Sequence, residues 1–112
     1  MDEGKEEKNG WTRVCDAGAL ASGELKEFDH AGKKLMVAKM GGDIYATDRI
    51  CTHAYADLTS GFVNEGERTV TCPLHLSAFK LTDGVPQNPP ATAPLKTYKV
   101  KIQDDAIYIK ID

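Results

Sequence analysis

The chain has 112 residues, 41% of them hydrophobic and 28% charged, with a formal net charge of −3. That length fits one domain with a real core, and the balance argues against disordered and collagen-like classes. Nor does any apolar run approach the ~18 residues a spanning helix needs, and a mildly acidic chain lacks the electrostatic footprint of a protein that binds nucleic acid or an anionic membrane.

Met1 to Gly10 carry six charges and no strong apolar residue, so residues 1–10 read as a flexible charged tail that cannot bury enough to offset the cost of ordering. The stretch has no apolar signal-peptide core, and a cytoplasmic location is the expectation. Residues 11–112 read as a single domain. Trp11 to Cys15 alternates as a strand does, and Asp16 to Gly23 is a small-residue loop with at most one helical turn at Ala17 to Leu20. Glu24 to Phe28 reads as a strand, turned by Asp29 to Gly32 into a stronger one from Lys33 to Met40. Gly41-Gly42-Asp43 predicts a tight turn into Ile44 to Thr47, because glycine supplies the positive φ such turns need. Near the C-terminus, Lys99 to Ile102 and Ala106 to Ile111 alternate around Gln103-Asp104-Asp105 as another hairpin. The fold class is all-β, an antiparallel β-sandwich or barrel.

Between these hairpins the character changes. Arg49 to Pro94 contains Gly61, Gly66 and Gly84, and four of the chain's five prolines fall between Pro86 and Pro94. Proline fixes φ and removes a backbone donor, so that stretch reads as a stiff extended loop and not as a central strand.

The same region pairs Cys51 with His53 and Cys72 with His75, using two of the three cysteines and two of the three histidines. An odd cysteine count without a secretion signal argues against a disulfide framework and for metal or catalytic use. The 18 residues between His53 and Cys72 allow a hairpin to present both loop tips together. Two thiolates and two imidazoles suit a tetrahedral zinc site, but zinc modules usually pair Cys with Cys and His with His at short spacing. A mixed pair on each loop suits a binuclear 2Fe-2S cluster, with both thiolates on one iron and both imidazoles on the other.

Cys51-Thr52-His53, Leu58, Gly61, Cys72-Pro73-Leu74-His75, Phe79, Gly84 and Pro90-Ala91 together resemble the signature of Rieske and Rieske-type proteins. The resemblance spans about residues 49–95, and it implies a cluster-binding loop subdomain there holding one 2Fe-2S cluster. It places Cys51 and Cys72 on the buried iron, His53 and His75 on the outer one, and the proline loop over a third side. It further implies that Ala56 and Leu74 stand where respiratory members carry two disulfide-forming cysteines, and that those members' membrane anchor has no counterpart here. Ser77 would match a serine that donates to a bridging sulfide, whereas Phe79 replaces a tyrosine that donates to a ligand thiolate. With one donor missing, the expected potential lies toward the negative end of the roughly −150 to +300 mV Rieske span. Leu76 stands where glycine usually follows the second histidine, and Pro89 where the proline loop often has glycine. Protonation of the ligand imidazoles would be coupled to reduction.

Only His30 remains once His53 and His75 are assigned, too few for the mononuclear iron site of an oxygenase subunit. With no nucleophile motif and no nucleotide fingerprint, the chain reads as a one-electron carrier and not as an enzyme. The resemblance implies a flavin reductase as donor and an oxygenase or other redox enzyme as acceptor. The alternatives are a zinc-stabilised Cys2His2 binding module and a fixed small subunit of a larger reductase. His30 reads as a solvated turn residue and Cys15 as a small buried hydrophobe. Trp11, Phe28, Tyr45 and Tyr98 read as core or sheet-face residues; Tyr55 and Leu58 would shield the cluster or pack their own loop.

Overall fold

The computed structural model describes residues 10–52, 56–74 and 76–111. All of the charged tail except Gly10 lies outside them. Nine strands run through the described residues: β1 (Trp11–Asp16), β2 (Leu25–His30), β3 (Lys33–Met40), β4 (Asp43–Asp48), β5 (Phe62–Asn64), β6 (Thr69–Thr71), β7 (Ala78–Lys80), β8 (Thr97–Gln103) and β9 (Ala106–Lys110). Single 3₁₀ turns cover Ala17–Ala19 and Leu58–Ser60. No helix among these residues is long and apolar enough to cross a membrane.

The strands form a six-stranded sheet in the order β1-β9-β8-β4-β3-β2 and a three-stranded sheet in the order β5-β6-β7, with all pairings antiparallel. Only Ala46↔Tyr98 and Thr47↔Thr97 join β4 to β8. The large sheet bends at that short seam, and its halves close over a core of Leu35, Val37, Ala46, Tyr98, Ile107 and Ile109. This is the sandwich or near-barrel that the alternating pattern predicts.

β3 is buried on both faces. Leu35 and Val37 enter the core just described, while Met36, Ala38 and Met40 enter a second one with Cys51, Leu58, Val70, Cys72, Phe79 and Leu81. The period-2 geometry of a strand sends alternate residues to opposite sides. One strand therefore carries both the closed sheet and the small sheet, and burying each large apolar side chain contributes roughly 1.5–3 kcal/mol.

The tight hairpins follow the local chemistry. Ala31 and Gly32 (φ +53 and +82) turn β2 into β3, and Asp104 and Asp105 (φ +53 and +62) turn β8 into β9. Aspartate tolerates the left-handed region better than most residues. The β2–β3 turn is shorter than the sequence suggests: His30 ends β2 opposite Lys33, its ring stacked on Phe28 at 6.2 Å between centroids. Cys15 is buried, and desolvation pushes its thiol pKa upward, as befits a small hydrophobe.

The small sheet lies within the segment that the sequence presents as loops. Arg68 locks it to the large one: its Nη1 donates to Met40 O (3.0 Å), Asp43 Oδ2 (2.7 Å) and Tyr45 Oη (2.9 Å), fixing the β5–β6 hairpin against the β3–β4 turn. Gly84 has φ +80, and a Cβ there would lie 2.0 Å from the Leu95 carbonyl oxygen, whereas Gly32 at φ +82 has nothing within 4 Å. Gly32→Ala should therefore cost about 1 kcal/mol, the penalty of a left-handed residue, and Gly84→Ala clearly more because backbone must also move. Denaturant unfolding of the two variants side by side checks the difference.

Candidate metal centre

Two loops carry the cysteines, and the same backbone bond closes both. β4 runs through Arg49 and Ile50 into Cys51, whose amide donates to Ala56 O at 2.9 Å, while Leu58 N donates back to Arg49 O at 2.9 Å. β6 runs into Cys72, whose amide donates to Ser77 O at 2.8 Å, and Leu76 N returns to Cys72 O at 3.0 Å. Each cysteine thus sits at the mouth of a loop closed five residues later. His53 and His75 fall inside these closures by sequence position; both, with Tyr55, lie outside the described residues.

The thiols enter one apolar environment. Cys51 is 3% exposed and Cys72 fully buried, in the core that holds Phe79 and Leu58. None of the three cysteines is disulfide-bonded. Ala56, one of the two positions where the disulfide-forming branch has cysteine, is buried, while Leu74, the other, is 60% exposed. Gly61 is extended (φ −88), and its role is close approach: a Cβ there would lie 2.1 Å from Thr71 O, next to Cys72.

Residues 86–94 form the third wall and contain no strand. Thr52 Oγ1 donates to Ala93 O at 2.8 Å, joining this wall to the first loop. Asn88 joins it to the second: Oδ1 accepts from Ala78 N at 2.9 Å and Nδ2 donates to Leu76 O at 3.0 Å. Ser77, fully buried, accepts the Ala91 amide at 3.0 Å through Oγ. Among the described residues no acceptor takes its own proton. With two buried thiols on matched loops, the donor set fits a cluster bound partly through sulfur.

Leu76 explains the glycine usual at its position. It sits at φ +63 with its side chain 57% exposed, so the left-handed backbone costs about 1 kcal/mol with little packing in return. Leu76→Gly should leave stability unchanged or raise it by up to about 1 kcal/mol, read from the thermal midpoint.

Arg49 anchors the first loop. Its side chain is 5% exposed; Nη1 lies 2.9 Å from Asp29 Oδ1, and Nε lies 3.4 Å from Asp57 Oδ2 in an ionic contact without hydrogen-bond geometry. Asp57 also caps the Leu58–Ser60 turn, accepting from Thr59 N at 2.9 Å and Thr59 Oγ1 at 2.6 Å. Burial opposes its charge, but the Thr59 bonds and Arg49 outweigh it, so the carboxyl titrates below its ordinary value of 3.8. Because the folded pKa is depressed, this contribution is complete well above pH 3.8 and fades as the pH falls through that value. Asp57→Asn keeps the cap and removes the charge; it should cost about 0.5 kcal/mol at neutral pH, since the carboxylate is partly solvated. Unfolding measured from about pH 7 to pH 3.5 should show the gap from wild type closing as Asp57 protonates.

The sequence reading missed Thr52, Asn88, Arg49 and Arg68 as site supports. Polar side chains that bond distant backbone leave no periodic signature; only the polar Asn88 beside the proline pair hinted at a turn.

Residues 10–99 match the family described as Rieske [2Fe-2S] domain. The chain is 41% identical over 101 residues to the ferredoxin component of a naphthalene 1,2-dioxygenase system from Pseudomonas aeruginosa, covering 90% of this chain and 95% of that one. To the ferredoxin component of biphenyl 2,3-dioxygenase from Rhodococcus jostii (strain RHA1) it is 32% identical over 101 residues, covering 90% and 92%. Among solved structures, the ferredoxin of carbazole 1,9a-dioxygenase from Nocardioides aromaticivorans IC177 superposes with a TM-score of 0.86 at 30% identity, covering 89% of this chain and 96% of that one. A ferredoxin chain in a complex of reduced oxygenase and oxidized ferredoxin of carbazole 1,9a-dioxygenase also gives 0.86 at 30% identity, covering 92% and 94%. The near-barrel with one cysteine loop following the large sheet's β4 and the other following the small sheet's β6 matches the solved Rieske-type ferredoxins, and the relatives are ferredoxin components, electron-transfer proteins. The chain belongs to the Rieske 2Fe-2S domain family, and it is an electron carrier, not an enzyme.

Proposed function

We propose that Cys51, His53, Cys72 and His75 hold one 2Fe-2S cluster per chain within a cluster-binding region of about residues 49–95, in a single domain of residues 11–112. The observation that carries this reading is the pair of matched loop closures, which brings Cys51 and Cys72 into one buried core beneath the proline-rich wall. When bound, the cluster supplies one-electron redox chemistry. The protein's part is to orient and shield. Cys51 and Cys72 act as thiolates, Phe79 and Leu58 exclude water, and Asn88 and Thr52 hold the third wall in place. Ser77 offers its hydroxyl proton toward a sulfide.

The partners follow from the relatives. Several are ferredoxin components of dioxygenase systems, and one structural neighbour is bound to its oxygenase. The chain accordingly takes an electron from a flavin reductase and passes it to an oxygenase or other redox enzyme, in the cytoplasm, where thiols remain reduced.

Purified protein should be coloured and contain two irons and two acid-labile sulfides per chain, with the colour lost in Cys51→Ser and Cys72→Ser. A colourless protein with one zinc and no sulfide would instead establish the zinc module. Stable co-purification with a reductase would establish the fixed subunit. Ser77→Ala should lower the midpoint potential and Phe79→Tyr raise it, each by roughly 40 mV if the hydrogen bond contributes about 1 kcal/mol. A redox titration of the holoprotein reads both.

A further inference from the structure

The chain's lysines are unevenly spread. Lys33, Lys34 and Lys96, with Asp48, Ile50 and Tyr98, line a cavity of roughly 390 Å³. A neighbouring hollow shares Lys96 and Tyr98 with it and adds Lys99 and Lys110. Five of the chain's fourteen basic residues thus form one continuous belt on a molecule whose net charge is −3. Lys99 and Lys110 stand directly opposite each other on β8 and β9. Like charges so placed weaken a sheet, so internal stability does not account for them. Among the described residues, none of the five is in an ion pair with a carboxylate. Three acids border the belt: Asp48 in its cavity wall, Asp29, and Asp57, whose carboxyl Lys34 helps to hold below its ordinary value after Thr59 and Arg49. Asp48 accepts the Tyr98 hydroxyl at 2.6 Å, and Asp29, across from Lys34 in the β2–β3 register, is held by Arg49.

The belt borders the redox site. Ile50, which immediately precedes Cys51, is part of the same cavity wall. Lys34 O accepts the Arg49 amide at 3.0 Å and Lys96 O accepts the Asp48 amide at 2.9 Å, so the backbone holds both residues at the entry to the first loop with their side chains exposed.

We propose that this lysine belt is the docking surface for an acidic face of a protein redox partner, steering it against the Cys51 loop. The proposal rests on the electron-carrier reading given above and deepens it. A basic belt facing an acidic partner raises the encounter rate without requiring a large or lasting interface, as transient electron transfer demands.

The test uses reduced holoprotein oxidised by ferricyanide, an anionic one-electron acceptor, or by hexaammineruthenium(III), a cationic one, in stopped flow. If the belt governs the field at the exit, the ferricyanide rate falls as salt is added, although the net charge of −3 predicts the opposite slope. The doubly substituted Lys34→Glu, Lys96→Glu protein should lose about tenfold in ferricyanide rate at low salt and gain with the ruthenium probe. Poly-L-glutamate, standing in for an acidic protein face, should slow ferricyanide oxidation of the wild type and not of the variant. Rates insensitive to the substitutions, or a ferricyanide rate that rises with salt in the wild type, would overturn the proposal. So would sedimentation with phosphatidylserine vesicles that the same substitutions abolish, since the belt would then serve a membrane. A protein with no cluster spectrum would overturn the electron-carrier reading itself, and the belt's role with it. Lys34→Gln, Lys96→Gln should give about half the effect, which separates charge from misfolding.

Discussion

The site depends on one backbone constraint: each cysteine amide is bonded to the carbonyl five residues further on, Cys51 to Ala56 and Cys72 to Ser77. The closure takes the chain off the strand ladder, so the described backbone groups around it need partners other than a neighbouring strand. Both cysteines are also nearly or fully buried, and an unpaired buried amide or carbonyl costs about 1–3 kcal/mol. Partners must therefore come from elsewhere in the chain. The proline-rich wall supplies them: the Ala91 amide to Ser77, the Asn88 side chain to Ala78 and Leu76, and the Ala93 carbonyl to Thr52. The prolines suit that wall because, past the single bridge of Pro86 to Phe79, the segment joins no sheet and has no need of their missing amides.

The same wall bears on how the two loops stay together without a covalent tie. In the disulfide-forming branch, from which the sequence departs, the resemblance puts the link at the positions of Ala56 and Leu74. One of these residues is buried here and the other largely exposed. The work of joining the loops passes instead to hydrogen bonds, each contributing about 1 kcal/mol net. Such a tie is indifferent to the redox state of surrounding thiols, which suits a reducing compartment. Leu76 fits this account. Its left-handed backbone is held from both sides, its amide by Cys72 and its carbonyl by Asn88, so a conformation unfavourable for leucine persists because its neighbours over-determine it.

The large sheet was legible because its strands are long and half-buried. Alternation marks β8 and β9, an apolar run marks β3, and the turn residues between strands sit where the backbone enters the left-handed region. The small sheet was not. β5, β6 and β7 have three residues each, too few for any period to register, and what joins them to the large sheet is long-range: Val70 and Phe79 packed on β3, and Arg68 on the β3–β4 turn. In the candidate site, the paired cysteines and histidines stood out by spacing. Thr52, Asn88 and Arg49 did not, since their partners lie 41, 12 and 20 residues away in sequence and nothing local announces them. Gly61 stood out only as part of the motif; its role, close contact between two backbones with no unusual dihedral, shows only in the fold.

The link from fold to function runs through β3. Because Met36, Ala38 and Met40 share a core with Cys51 and Cys72 while Leu35 and Val37 face the core of the large sheet, the two cysteines are packed onto the most deeply buried strand and not onto an edge. Close-packed interiors resist the small shifts that would otherwise accompany a change of charge. Arg49 extends the rigidity outward, tying the first cysteine loop to β2 through Asp29 and to its own turn through Asp57. Removing a carboxylate from that set strips a buried cation of one partner, whereas removing Arg49 releases partly solvated acids to water. The cation, placed two residues before the first cysteine, is thus the element whose surroundings the loop must preserve. It also meets the strands where the lysine belt begins, so the residues that hold the loop still are continuous with the surface that a partner would approach.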